Sequence, residues 1–284
     1  MQRINLCQGL KETKLMPSKK QILDTWKKPL SDLFRGKSLI RHIPNKYGSD
    51  YIILFNKRRA TKLSYSKKRC PFSEFIERDY FVIGNYILTP NIYPFAKRHR
   101  LLITKKHYSH PKLKDFKFII KFCDTVDATV ILSLRGSGAG IPSHLHFQVF
   151  DDELPVMSAR SKLLFYNKDI IIDRVIFPTY AIKITGKNLD KWLFRITKNI
   201  SYPYNLVIKN NQIIIYPRTN VCPTEISDWR FGATELSGFV ITRREEVFRN
   251  LSKKQFELYV KKATLPDQDS IKKFENQVKK VIEI

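Results

Sequence analysis

His144-Leu145-His146-Phe147-Gln148 sets two imidazoles and a carboxamide at alternate positions, and on an extended strand alternate side chains share a face. Leu145 and Phe147 then form the apolar opposite face. Immediately upstream, Gly136-Ser137-Gly138-Ala139-Gly140-Ile141-Pro142-Ser143 has three glycines in five residues, and bare backbone of this kind can bring N–H groups close to an anion. An unperturbed imidazole, with a pKa of about 6.5, is largely the free base at neutral pH and can act as a nucleophile. Histidines beside a nest of phosphate size point to phosphorus chemistry. A lone strand histidine or a glycine turn is ordinary structure; the combination carries the reading.

The elements that must hold this strand are partly legible. Residues 17–35 have Ile22, Leu23, Trp26, Leu30 and Leu33 at helical spacing, with Pro29 as a kink or break. Strands are predicted at 51–55, 81–88 and 100–104, the last two separated by a turn containing Pro90, Asn91 and Pro94. A basic loop runs to Arg69, a helix covers 115–126, and a strand over 128–134 feeds the glycine nest before 144–150 returns antiparallel to it. Beyond Asp151-Asp152-Glu153 the segments 169–176, 180–184 and 204–216 are rich in β-formers, with Asn210-Asn211 marking a tight hairpin. From Glu245 to the end the pattern is helical, interrupted near Pro266.

The chain has 284 residues, 43% of them hydrophobic, enough for one large core or two smaller ones. No run approaches the roughly 18 apolar residues of a membrane span, and the first residues have no signal-type apolar stretch, so a cytoplasmic protein is expected. Cys7, Cys70, Cys123 and Cys222 are scattered and form no C-x-x-C pair. Neither a disulfide framework nor a structural metal is therefore predicted, and no Cys or Asp cluster lies near His144 or His146 in the sequence to complete a histidine zinc site. Lys and Arg number 52 against 26 Asp and Glu, a formal charge of +26. Such a field attracts polyanions of any kind, including nucleic acid and small polyphosphates. Runs such as Lys57-Arg58-Arg59 and Lys67-Lys68-Arg69 are too short to define a nucleic-acid site.

His144 to Gln148 resembles the histidine triad superfamily, in particular its transferase and phosphorylase branch, where Gln takes the place of a third His. Further segments are similar to that branch: Asn91-Ile92-Tyr93-Pro94-Phe95-Ala96-Lys97-Arg98-His99, Arg69-Cys70-Pro71-Phe72, Tyr204-Asn205-Leu206-Val207, Ile215-Tyr216-Pro217-Arg218 and Glu235-Leu236-Ser237-Gly238. The last is most like the GDP-hexose phosphorylases. The chain departs from the branch at Gly140, where a Ser is frequent, and lacks a second cysteine after Cys70.

The resemblance implies an α+β fold of two histidine-triad-like halves, each an antiparallel sheet packed against helices. The halves would span 49–152 and 153–284, following an N-terminal helical extension over 1–48. It implies His146 as the nucleophile on an α-phosphorus, His144 as organiser of the strand, and Gln148 as donor to a phosphoryl oxygen. Asn91, eight residues before His99, would contact the ribose. Arg135, Gly136, Ser137, Gly138, Gly140, Ser143 and Arg218, with Lys97, would hold phosphate. His99 and His107 would be mainly structural, and Glu235 either a structural acceptor or a substrate contact.

The implied reaction is phosphorolysis without a cofactor. The partners would be inorganic phosphate and a nucleotide sugar, GDP-hexose first, or a dinucleoside polyphosphate. From another class, the charge alone would suit a catalytically silent nucleic-acid-binding protein; steep salt dependence and no turnover would mark it.

Overall fold

The computed structural model describes residues 16–28, 38–56, 70, 72, 80–91, 93–219, 222–226, 231–265 and 267–283. The expected kink at Pro29, the basic loop before Cys70 with its charge runs, Cys7, Ile92, Pro71 and Pro266 lie outside the described residues. The fold is α+β. In chain order the first strands are β1 (Leu39–Ile43), β2 (Tyr51–Phe55), β3 (Phe81–Ile83), β4 (Tyr86–Pro90), β5 (Arg100–Thr104), β6 (Thr129–Ser133) and β7 (His146–Phe150). They are followed by β8 (Ser161–Tyr166), β9 (Ile170–Val175), β10 (Ile182–Gly186), β11 (Tyr204–Lys209), β12 (Gln212–Pro217) and β13 (Phe239–Thr242).

Ten strands form one sheet in the order β3-β4-β5-β7-β6-β11-β12-β10-β9-β8, and every pairing in it is antiparallel. Taken inward from each edge, β3-β4-β5-β7-β6 and β8-β9-β10-β12-β11 follow the same order. They meet where Asn205 to Ile208 of β11 pair with Ser133 to Val130 of β6. The two sheets expected from the sequence are thus continuous as one. Alternation makes this possible, because on both central strands one set of side chains enters the core on each face: Val130, Leu132, Leu206 and Ile208 on one side, Ile131 and Val207 on the other.

Helices cover the first face. These are α1 (Lys19–Lys27), α2 (Leu113–Val126), α3 (Leu189–Asn199) and α7 (Gln268–Ile282), which contribute Trp26, Phe116, Phe122, Trp192, Leu193 and Phe274 to its core. Helix α1 starts with the reciprocal capping pair Ser18 and Gln21 and buries Ile22 and Trp26. Trp26 meets Phe122 edge-on at 5.7 Å, and its carbonyl accepts from Arg100 Nη1 at 2.6 Å.

The second face of the sheet is covered over β11 and β12 by a separate sheet, β1-β2-β13. There the parallel pairing of β2 with β13 ties residues 52–55 to residues 239–242. Helices α4 (Ala233–Leu236), α5 (Glu245–Asn250) and α6 (Lys253–Lys262) complete that layer. No helix among the described residues is long and apolar enough to cross a membrane.

Several expectations are corrected. The segment 1–48, read as a helical extension, contains strand β1, which pairs with β2; Leu39 and Ile40 on it are about half exposed, so burial left no pattern to read. The predicted strand 81–88 is a hairpin turning at Gly84, whose φ of 56° is the left-handed backbone that glycine adopts freely. Edge strand β8 lacks regular in-out alternation, so it had no periodic signal; α3 follows Asn188 with no capping side chain, yet Leu189, Trp192, Leu193 and Ile196 at i, i+3, i+4 and i+7 were a helical pattern that the reading missed. The terminal helical stretch is three helices, restarted by the caps Ser252 and Asp267. The Asn210-Asn211 turn is as expected, with φ of 49° and 55°.

Asp115, fully buried near the start of α2, accepts from the Tyr86 hydroxyl at 2.6 Å, the Tyr108 hydroxyl at 2.7 Å and the Lys112 amide at 2.7 Å. Removing this carboxylate strands three donors. Asp115→Ala is expected to lower the free energy of unfolding by about 3 kcal/mol, read by urea denaturation; a loss below about 1 kcal/mol would show that the cluster is dispensable.

Candidate active site

On β7, Phe147 and Val149 enter the helix-covered core while His146 and Gln148 lie on the other face. That face is roofed locally by Phe72 and Ile141, packed over Ile87 and Ile103 of the neighbouring strands. Phe72 stands edge-on to both histidine rings, at 5.3 Å from His144 and 4.9 Å from His146. Burial pushes the His146 pKa down to about 4, partly offset by a bond to backbone.

That bond fixes the ring. His146 Nδ1 lies 2.9 Å from the His144 carbonyl, and a carbonyl can only accept, so Nδ1 carries the proton and Nε2 is left with a free lone pair. His144 is not on the strand with it. The strand begins at His146, and the buried His144 ring points into the protein, its Nε2 donating to the Thr104 carbonyl at 2.6 Å. The expectation that the two imidazoles share a face is therefore corrected: the chain leaves extended geometry before β7, and His144 offers its carbonyl rather than its ring.

Gln148 is fixed from the next strand. The Phe95 amide donates to His99 Nδ1 at 3.2 Å, which places the proton of the neutral ring on Nε2. His99 Nε2 then donates to Gln148 Oε1 at 3.0 Å. With its oxygen engaged, the end of Gln148 that remains for a ligand is the NH2 donor. Asn91 adjoins the same cluster through backbone groups: its Oδ1 accepts from the Tyr93 amide and its backbone N–H donates to the His99 carbonyl at 2.9 Å, while its Nδ2, a donor like His99 Nε2 in this tautomer, makes no hydrogen bond to that ring. Register on β5 and β7 sets this up, because Leu101 stands opposite Gln148. His99 is thus the residue that sequence reasoning undervalued, and its spacing of eight from Asn91 was the available signal.

The glycine-rich loop divides. Ser137 is fully buried and turned inward; its hydroxyl accepts from the Leu134 amide at 2.7 Å, and the amides of Ser137 and Ala139 both donate to the Leu134 carbonyl. Ser137 is thereby corrected from phosphate ligand to loop structure. Gly138, at φ 87°, lies so close to the Phe231 carbonyl that a Cβ would sit 2.4 Å from its oxygen. Gly136, at φ 80°, turns over Pro203. On the exposed side of the loop are Arg135, Gly136, Gly140 and Ser143, with open space around Gly140.

Arg218 is also corrected. It is buried, and its guanidinium donates to the Ala263 carbonyl at 2.9 Å, Asn205 Oδ1 at 2.8 Å and the Phe231 carbonyl at 2.6 Å. Asn205 in turn donates to the Ser137 carbonyl at 2.8 Å. Arg218 therefore positions the glycine loop from behind, and burial brings its pKa down to about 10. Lys97 is exposed, and its backbone amide donates to Asp152. Glu235 is buried and accepts from the Gly232 amide and the Thr234 hydroxyl, both at 2.9 Å, so it caps α4.

One grouping was invisible in the sequence. Cys70, His107 and His144 bring their ligand atoms within 4.8 Å of one another; Cys70 Sγ is 3.2 Å from His144 Nδ1, and the His107 ring lies 4.1 Å from the His144 ring. Because His144 Nε2 serves Thr104, the Nδ1 lone pair faces the thiol. A thiolate with two imidazoles suits a borderline-soft divalent cation such as zinc, with a fourth position left open. The absence of a nearby Cys in the sequence is made good by folding.

His146 gives a pH signature. Its folded pKa of about 4 lies below the ordinary 6.5, so the unfolded chain takes up a proton here that the folded chain refuses. Stability falls as pH drops through that window. Imidazole NMR is expected to show His146 neutral with Nδ1 protonated until close to pH 4, and His146→Gln to lose less stability than wild type over the same interval. Titration near the ordinary value would contradict the partly buried, tautomer-fixed ring.

No protein-family model matches the sequence, and no curated protein matches it. Solved structures do. The crystal structure of yeast Ap4A phosphorylase Apa2 superposes with a TM-score of 0.57 at 14% identity, covering 88% of this chain and 96% of that one. Its complex with Ap4A gives 0.58 at 13% identity over 88% and 99%. Its complex with AMP gives 0.60 at 16% identity over 89% and 100%. At the level of the fold, the resemblance drawn from His144 to Gln148 therefore holds: this chain is built on the fold of yeast Ap4A phosphorylase.

Proposed function

We propose that the chain is a phosphorylase that transfers a nucleotidyl group through His146 to inorganic phosphate. The observation that carries this reading is the bond from His146 Nδ1 to the His144 carbonyl, which leaves Nε2 unprotonated beside Gln148. Nε2 attacks the α-phosphorus; an N–P bond forms, the α-phosphoanhydride P–O bond breaks, and the leaving phosphate takes the electron pair. Gln148, held through its oxygen by His99, donates from its amide to a non-bridging oxygen as charge develops there. A carboxamide supplies no proton to the leaving group, which favours a leaving group that departs as an anion. An oxygen of inorganic phosphate then attacks phosphorus, the N–P bond breaks, and His146 returns to its neutral form. Arg135, Gly136, Gly140 and Ser143 are the exposed predicted loop residues left to meet phosphate oxygens.

For the substrate we place a dinucleoside polyphosphate first. The solved structures sharing the fold include a complex with Ap4A, and the GDP-hexose preference rested on Glu235 to Gly238, where Glu235 caps a helix and Ser237 is fully buried. A GDP-hexose is second. The same strand order in β3–β7 and β8–β12 supports reading the chain as two histidine-triad-like halves divided near residue 152, with one reactive face between them. On β12 the face that carries His146 and Gln148 on β7 holds Ile214 and Tyr216, both covered. A silent nucleic-acid-binding role ranks below, because the tautomer of His146 is held for reaction.

Incubation with Ap4A and phosphate should release ADP and ATP in equal amounts, with little product when phosphate is omitted. His146→Ala is expected to lower kcat by at least about a thousandfold, and Gln148→Ala by about a hundredfold. Phosphate-independent cleavage, or turnover that survives His146→Ala, would overturn the reading; turnover of GDP-hexose alone would keep the mechanism and change the substrate.

A further inference from the structure

Strands β8 and β9 carry a pairing that the rest of the fold does not explain. Lys162 and Arg174 stand directly opposite each other across the antiparallel ladder, an arrangement in which like charges repel. Both line a cavity of about 400 Å³ that Lys261, at the C-terminal end of α6, also faces. Among the described residues none of the three has an ion-pair partner. The carboxylate on β9, Asp173, is taken by Lys183 and Ser161. Asp267, the one acid lining the cavity, has its oxygens held by the Ser270 amide and hydroxyl at 2.7 and 3.0 Å. The remaining wall is largely apolar and aromatic: Phe177, Pro178, Tyr180 and Leu265, with the Arg174 guanidinium lying 5.2 Å from the Tyr180 ring.

We infer that this cavity is a second, non-catalytic site for a nucleoside phosphate. Three cations face Asp267, engaged by Ser270, and Glu275 behind the wall, engaged by the Tyr180 hydroxyl at 2.8 Å; the surplus of positive charge favours an anion, which would relieve the Lys162–Arg174 repulsion by bridging the two. The volume exceeds what a phosphate alone fills, and the apolar and aromatic part of the wall suits a base and sugar. Strand order adds an independent argument. The cavity wall includes residues 176–180 of the loop joining β9 to β10. In the repeated order this is the counterpart of the loop joining β4 to β5, which holds Asn91 and His99. The site lies five to six strands from β7, roughly 24–29 Å at the usual strand spacing, so its ligand does not share the His146 site. The inference does not depend on the catalytic reading.

Photolabelling with an azido-ADP probe, followed by peptide mapping, tests it. Label is expected on residues 174–180 or 261–271. The Lys162→Ala, Arg174→Ala double variant should reduce it by at least about tenfold, His146→Ala should leave it unchanged, and so should the charge-matched control Lys117→Ala, Lys191→Ala on α2 and α3. Lys261→Ala, at an exposed lysine, gives the same reading should the double variant fold poorly. Label absent from these peptides, unchanged in the cavity variants, or lost equally in the control would overturn the proposal. A protein with no Ap4A turnover that still shows the Lys162-dependent label would retain this site and lose only the catalytic reading.

Discussion

The hydrogen bond from His146 Nδ1 to the His144 carbonyl is the constraint on which the site depends. A backbone carbonyl cannot donate, so the contact selects one tautomer and leaves the free lone pair on Nε2. It works only if that carbonyl is held still. The His144 ring is fastened to the Thr104 carbonyl, the Leu145 amide to the Tyr108 carbonyl, and the Leu145 carbonyl to the Thr104 amide. The acceptor is thereby bound on both sides to the end of β5 and the loop that follows it, and Phe72 closes the space around the rings. Burial then keeps the imidazole neutral, so the proposed nucleophile and the fold are set by the same contacts.

The rest of the chain supplies rigidity from the other side. The glycine loop before β7 is pressed against Pro203 and Phe231, and the buried Arg218 holds Asn205 and Phe231 at once. Both of those partners reach the loop, Asn205 through the Ser137 carbonyl and Phe231 through its close approach to Gly138. A buried guanidinium satisfied by carbonyls makes a stiff three-way tie, and truncating it would leave several acceptors unpaired. Strand β7 is thus positioned by β5 on one flank and by residues of the distant β11, β12 and 231–263 region on the other.

The sequence was most readable where local chemistry decides structure. The His146 and Gln148 alternation, the Asn210-Asn211 turn and the apolar spacing of Ile22 and Trp26 were all visible, since each depends on neighbours within a few residues. Contacts between remote segments were not. Ser137 and Arg218 have side chains suited to phosphate, and only the fold shows that they bind carbonyls and amides instead. Cys70, His107 and His144 are far apart in the chain and meet because β5, β7 and the Phe72 segment converge. Strands β1 and β8, lying at sheet edges with exposed apolar residues, had no burial pattern to betray them.

The central claim is that phosphorus passes through Nε2 of His146. Rapid-quench mass spectrometry of the protein mixed with Ap4A in the absence of phosphate tests it most directly. The account predicts an added adenylyl mass on the peptide containing His146, labile in acid and discharged as ADP when phosphate is supplied. Phosphorolysis that proceeds with no such adduct, or an adduct carried by another residue, would contradict it.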